Sequence, residues 1–192
     1  MTMPVLTRDA IQNYNAAPLV EGLLWMLRSR EAWTLHHGAN TAEVTGMGWQ
    51  GLGEQGAEAR VTRDEAIAYE VAAVVQAGGS TAQFGAGDLM AMKSSVLEAI
   101  AVAEAEAFRV NQDLSVTDTM TGLPAAVRQQ RQRLAEGHAR YIAKTAEAFY
   151  AADQKVATAI DGHRAALDGH VRLIAVTPQR RRSANDVAHD QN

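Results

Sequence analysis

The residues of this chain best suited to chemistry are its histidines: His36, His37, His138, His163, His170 and His189. A metal held between helices needs ligands at i, i+3 or i+4 on one face, usually with carboxylates among them. His163 and His170 stand seven apart and share a face, but no carboxylate lies between them on it. His36 and His37 point about 100° apart on a helix, so they cannot chelate together. The histidines therefore read as members of solvated helices, and no metal or cofactor is expected. The acidic pairs Asp64/Glu65 and Glu104/Glu106 likewise read as solvated helical faces. Gly51, Gly53 and Gly56 spell the dinucleotide fingerprint G-x-G-x-x-G. That motif works only when a strand aims the following helix at a pyrophosphate. The preceding "HHGANTAEVTGM" is neither apolar nor β-branched enough for such a strand, so these glycines read as a tight turn. No cysteine nucleophile, G-x-S-x-G elbow, H-E-x-x-H pair or P-loop is present, and no enzymatic activity is expected.

The elements that position these residues follow from composition and period. Apolar residues make up 47% of the 192, weighted towards Ala, and aromatics only 5%, which suits close contacts between helices. The net charge of −4, with no basic face outside Arg180–Arg182, argues against a nucleic-acid partner. The longest apolar run, "GLLWML", is far short of the roughly 20 residues of a membrane span. "MTMPVLTRDAIQNYN" has no basic and apolar leader pattern, so no Sec signal is expected.

Thr7 is a plausible cap for a short helix before "RDAI". A longer helix is expected from about Pro18 to Val44, burying Val20, Leu23, Leu24, Leu27 and Leu35, with Trp25 and Trp33 widening the stripe. A second runs from about 54 to 77 through Ala57, Val61, Ala68, Val71 and Val75, with Asp64 interrupting its stripe. "AGGST" then breaks the chain, with Ser80 or Thr81 as the next cap. A third, from about 81 to 108, has a narrow seam of Leu89, Lys93, Val96, Ile100, Ala103 and Ala107. "RVNQDLSVTDTMTGLP" reads as an ordered loop, because Leu114–Val116 alternates like a strand but lacks a partner. From Pro124 a very long helix extends to about 173, its seam traced by Val127, Leu134, Tyr141, Ala148, Phe149, Ala152, Val156, Ile160 and Leu167. The expectation is an all-α, elongated four-helix bundle made of two antiparallel hairpins, about 17–78 and 81–173, in one domain over 1–175. Residues 176–192 read as a polar tail or linker.

Trp49 sits in the turn of the first hairpin. Either it folds back to seal the bundle end, or it stays exposed as an anchor for a partner. Trp49-Gln50-Gly51, between two long Ala-rich helices, resembles the WxG family of actinobacterial ESX (type VII) secretion substrates. "YIAKTAEAFYAADQKVATAI" is similar to the end of partner hairpins in that system, which carry Tyr-x-x-x-Asp or Tyr-x-x-x-Glu. Here Tyr150 is followed four residues later by Gln154, and the fitting pair is Phe149 with Asp153. Spacing of i, i+4 stacks a ring and a carboxylate on one helical face.

The resemblance implies a non-enzymatic substrate, or the targeting domain of a larger effector, exported folded by a Sec-independent route to the cell surface or beyond. Its partners would be the secretion ATPase or a chaperone, with a small helical protein as a further one. The signal it implies is composite: Trp49 and Gly51 brought beside Phe149, Tyr150 and Asp153 by antiparallel folding. The alternative is a cytosolic helical adaptor or chaperone that binds a partner helix.

Overall fold

A computed structural model describes residues 6–46 and 51–176. It is mostly helical, as the patterning leads one to expect: α1 (Arg8–Asn13), α2 (Ala17–Gly46), α3 (Leu52–Ala105) and α4 (Ala125–Val176), with β1 (Phe108–Val110) and β2 (Val116–Asp118) between the last two. Val176, the first residue of the expected 176–192 tail, still belongs to α4, and residues 177–192 lie outside the described residues, as does Trp49.

Thr7 caps α1 by accepting a hydrogen bond from the Ala10 amide at 3.2 Å. Asn15 Oδ1 accepts from the first amide of α2, at Ala17, in the same way. Gly51, at φ 104°, starts α3 in a conformation that costs a side-chain-bearing residue roughly 1–2 kcal/mol. Among the described residues, no helix is long and apolar enough to cross a membrane.

The expected break at "AGGST" does not occur. α3 is continuous for 54 residues, about 80 Å, and serves both hairpins as their common wall. Gly78 and Gly79 are buried, and each glycine in a helix interior costs about 1 kcal/mol against Ala. Packing offsets that cost. A Cβ on Gly79 would lie 2.7 Å from Leu23 Cδ1 of α2, and one on Gly78 would lie 3.4 Å from His163 Cβ of α4 and 3.6 Å from Met26 Sδ of α2. Two helices thus close on α3 at one level: a Cβ would sit in ordinary contact at Gly78 and would force the Leu23 side chain to shift at Gly79. Thr81 caps nothing; its hydroxyl donates to the Ala77 carbonyl one turn back at 3.0 Å.

The expected loop after α3 is a β-hairpin. Of the expected Leu114–Val116 only Val116 is in a strand: Phe108–Val110 pairs antiparallel with Val116–Asp118, Val110 facing Val116. Leu114 takes a left-handed conformation at φ 64° to make the turn, and its side chain is buried.

The core gathers around the second half of α3. Leu89, Val96, Ile100 and Ala103 meet Ile11 of α1, Ala135, Ile142, Ala146 and Phe149 of α4, and Phe108, Val110 and Leu114 of the hairpin. Two expected seams are displaced. On α4 Phe149, Ala152 and Val156 of the expected seam do pack on the core, but before them the buried row runs through Ala135, Ile142 and Ala146, so Val127, Leu134, Tyr141 and Ala148 face outwards. On α2, among the described side chains of the expected stripe, only Leu23 is buried; Val20, Leu24, Leu27, Leu35 and Trp25 are exposed. α2 has one neighbouring helix, and one neighbour covers only a narrow strip.

Gly85 gives the sharpest test of the close approach, since a Cβ there would meet both Val156 methyl carbons at 2.8 Å. Gly85→Ala is expected to lower stability by about 1–3 kcal/mol. Val156→Ala in the same chain should recover part of that loss, as thermal and urea unfolding would reveal.

Candidate recognition sites

The Trp-x-Gly turn and the aromatic–acid pair fall at different levels of the molecule. Gly51 opens α3, whereas Val156, one turn beyond Asp153, touches Gly85. Gly85 follows Gly51 along one unbroken helix, about 50 Å further on at 1.5 Å per residue. Gly51 and the Phe149, Tyr150 and Asp153 stretch therefore lie at separate levels, and Trp49, the remaining member of the expected composite patch, lies outside the described residues. A continuous α3 carries the turn away from the pair, whereas a break near residue 80 would have folded one hairpin back beside the other.

Phe149 and Asp153 do share one face of α4, as their spacing requires, but that face looks inwards. Phe149 is 4% exposed, and its ring meets Tyr14 edge-on at a centroid distance of 4.9 Å. The Tyr14 hydroxyl donates to Asp153 Oδ1 at 2.8 Å. The phenol that Phe149 lacks is thus supplied from the other end of the sequence. Tyr150, next along α4, is half-buried. Burial and the neighbouring Asp153 carboxylate push the Tyr14 hydroxyl up to about 12 from its ordinary 10.0.

The arm that delivers Tyr14 is held by polar contacts along its length. Lys93 Nζ donates to the carbonyls of Gln12 at 2.7 Å and Tyr14 at 2.8 Å, closing the free end of α1. Arg8 pairs with Glu104 and donates to the Val110 carbonyl at 3.0 Å. Gln112 Nε2 donates to Asp9 Oδ1, and Gln112 Oε1 accepts from the Asp9 amide. Lys93 was expected inside an apolar seam. Its stem does lie there, and its ammonium reaches past the seam to the α1 terminus.

A second polar cluster fixes the hairpin to α4. Arg131 Nε donates to both Asp118 oxygens at 2.9 and 2.8 Å, and its guanidinium lies 4.2 Å from the Phe108 ring centroid. The Asp118 carboxyl is held below its usual range, mainly by the Arg131 hydrogen bond. Arg131 Nη2 also donates to the Glu106 carbonyl at 3.0 Å. His138 lies 3.1 Å from Glu106 Oε2 and stacks at a tilt on Phe108. The acids expected to be solvated at 104 and 106 therefore both hold partners. Sequence spacing gave no hint of these pairs, since Arg8 and Glu104 are 96 residues apart and Glu106 and His138 are 32 apart.

The other described histidines of α4 also face α3. His163 Nε2 is 3.0 Å from the Thr81 hydroxyl, and His170 Nδ1 is 3.7 Å from Glu70 Oε2. Among the described residues, no three His, Cys, Asp or Glu side chains converge as metal ligands. His36 and His37 lie on α2, and His189 is outside the described residues.

No protein-family profile matches the chain, and no solved structure does. It is similar to proteins of Mycobacterium bovis and of two Mycobacterium tuberculosis strains, each described as an uncharacterized protein. Each is 27% identical over 165 residues, which cover 86% of this chain and 50% of the relative. The chain thus spans half the length of the curated relatives it matches.

The Tyr14–Asp153 bond gives a pH test. A phenol whose pKa is raised in the folded state contributes stability that is complete below pH 10 and lost as pH rises from 10 towards 12. Tyr14→Phe should cost about 1–2 kcal/mol at neutral pH. It should also flatten the alkaline fall in melting temperature expected of the unmodified chain above pH 10.

Proposed function

We propose that this protein is a non-enzymatic helical substrate, or targeting domain, of an ESX-type (type VII) secretion system. One observation carries the reading: the two helices that flank Trp49-Gln50-Gly51 in sequence are an antiparallel pair. α2 ends at Gly46, α3 starts at Leu52, and the two run back together as far as the Leu23–Gly79 contact. This is the setting in which the resembled family carries its Trp-x-Gly element. Export would follow a Sec-independent route. The secretion ATPase or a chaperone would read the Trp49 corner alone, because Phe149 and Asp153 are covered by Tyr14.

A second reading has its own support. The exposed row of Val20, Leu24, Leu27 and Leu35 on α2 is apolar surface of the kind that a helical partner covers. On this reading the protein is an adaptor or chaperone that holds another protein's helix and is not exported.

Secretion from a mycobacterial host separates the two. Trp49→Ala is expected to abolish export while leaving intracellular amount and helical content unchanged. Leu24→Ser/Leu27→Ser should leave export intact. Export of the Trp49→Ala variant at the level of the unmodified chain would reject the secretion reading. Loss of a co-purifying helical partner in the α2 variant, with no export of either chain, would establish the adaptor.

A further inference from the structure

α1 is six residues long, about half of what an isolated helix needs to persist in water. It is helical because it is docked. Ile11 is its one buried side chain, in the core cluster with Leu89, Val96, Ile100 and Phe149. Tyr14 sets its edge against the Phe149 ring and its hydroxyl on Asp153. Most of the other ties are polar and open to solvent: Arg8 with Glu104, both Asp9–Gln112 hydrogen bonds, and Lys93 Nζ on the Gln12 carbonyl. Few buried apolar contacts and many exposed hydrogen bonds are the marks of a segment that opens before the rest of a protein unfolds.

The elements around the arm have clasps of their own. α2 is capped without α1, because Asn15 Oδ1 accepts from the Ala17 amide and the Leu19 amide donates to the Ala16 carbonyl. The β-hairpin is pinned to α4 by Arg131 and Asp118. α3 and α4 meet at Gly85–Val156 and at Glu106–His138. A swing of the arm about Asn15–Ala16 breaks none of these.

The groove beneath the arm has a defined chemistry. Its floor is Phe149 with the part of the α3 core row that shares a cluster with Ile11. Three polar groups stand along it. Glu104 pairs with a guanidinium, Lys93 closes the carbonyls at the end of a helix, and Asp153 accepts from a phenol. An apolar floor bared to water is a surface that another segment covers, and an amphipathic helix in a groove is a common way of doing so. The arm itself displays what fits: a cation, an aliphatic side chain and a phenol at 8, 11 and 14, on a helix whose C-terminal carbonyls end at an ammonium.

We propose that the arm is a displaceable strap. It opens about Asn15–Ala16 as one unit, and the groove it leaves takes a helical segment of another protein that carries an arginine, an aliphatic residue and a tyrosine at three-residue steps. The docked arm is then an autoinhibitory contact, an internal stand-in that the outside helix must displace. The inference uses neither the Trp49 corner nor the exposed row on α2, so it stands or falls apart from export.

Hydrogen exchange of the full chain tests the opening. The amides of Arg8, Ile11 and Tyr14 are hydrogen-bonded in the docked arm. They should exchange at least about tenfold faster than those of residues 89–103 in α3, at a rate indifferent to low urea. Peptide binding tests the groove. Ile11→Ser with Tyr14→Ala in the full chain frees the arm and leaves every groove residue in place. A fluorescent peptide of residues 6–16 should bind that variant saturably, at least about tenfold more tightly than it binds the unmodified chain, whose own arm competes. The same peptide carrying Ile11→Ser and Tyr14→Ala should not bind. The exchange measurement needs no substitution, so it decides the opening whether or not the variant folds. Arm amides that exchange only together with the α3 core would overturn the proposal. So would equal binding to both chains, or no saturable binding at millimolar peptide by a variant of unchanged helical content. A dimer of the unmodified chain with exchanged arms would overturn it too, by making the occupant a second copy.

Discussion

The structure depends on one long helix being approached from two sides at the same level. Along α3, Gly85 leaves out a Cβ that would collide with Val156 of α4 and Gly79 one that would force Leu23 of α2 to shift, while Gly78 lies within contact reach of His163 and Met26. Helix axes carrying ordinary side chains settle 8–10 Å apart, and small residues at the crossing permit the lower end of that range. Were α3 broken there, as its glycines and hydroxyls invite, the two hairpins would be independent units free to fold over one another. Continuity makes them a single wall with a helix on each side. Every later relation of distance in the molecule follows from that.

The aromatic–acid pair shows how continuity decides accessibility. Phe149 and Asp153 are on one helical face because of their spacing, and they are covered because the short arm from Thr7 to Ala16 continues the line of α2 past its own start. The arm is tied by Lys93 to the end of α1 and by Glu104 to Arg8, so Tyr14 is delivered to one place. A phenol and a carboxylate meet across 139 residues of sequence, and the ring beneath them is buried. Features that resemble a linear signal have become part of the packing between three helices.

Much of the fold was legible. Thr7 as a cap, the long apolar periodicities, the seam of Leu89, Val96, Ile100 and Ala103, and a last helix running on from Pro124 all follow from side-chain period and backbone preference. Three features were not. "AGGST" has the local chemistry of a break and the tertiary position of a crossing, and local propensity cannot distinguish these. The strand at Val116–Asp118 was missed because its partner, Phe108–Val110, straddles the expected helix end at 108 and the stretch read as loop. On α4, Val127, Leu134 and Tyr141 keep a heptad as regular as the buried row beside them, so period alone could not choose between the two faces.

The sequence alone determined that the chain is helical, where most helices begin and end, that it carries no thiol chemistry, and that a Trp-x-Gly element stands between two helices. These are consequences of composition and of interactions within a few residues. The tertiary structure alone decided that α3 is unbroken, that Tyr14 covers Phe149 and Asp153, that Arg8, Lys93, Glu104, Glu106 and Arg131 are clasps, and that Tyr141 and Leu134 face outwards. Each of these depends on which surfaces are left to meet once the helices are packed. That is a competition among distant parts of the chain, won by area buried and by backbones able to approach.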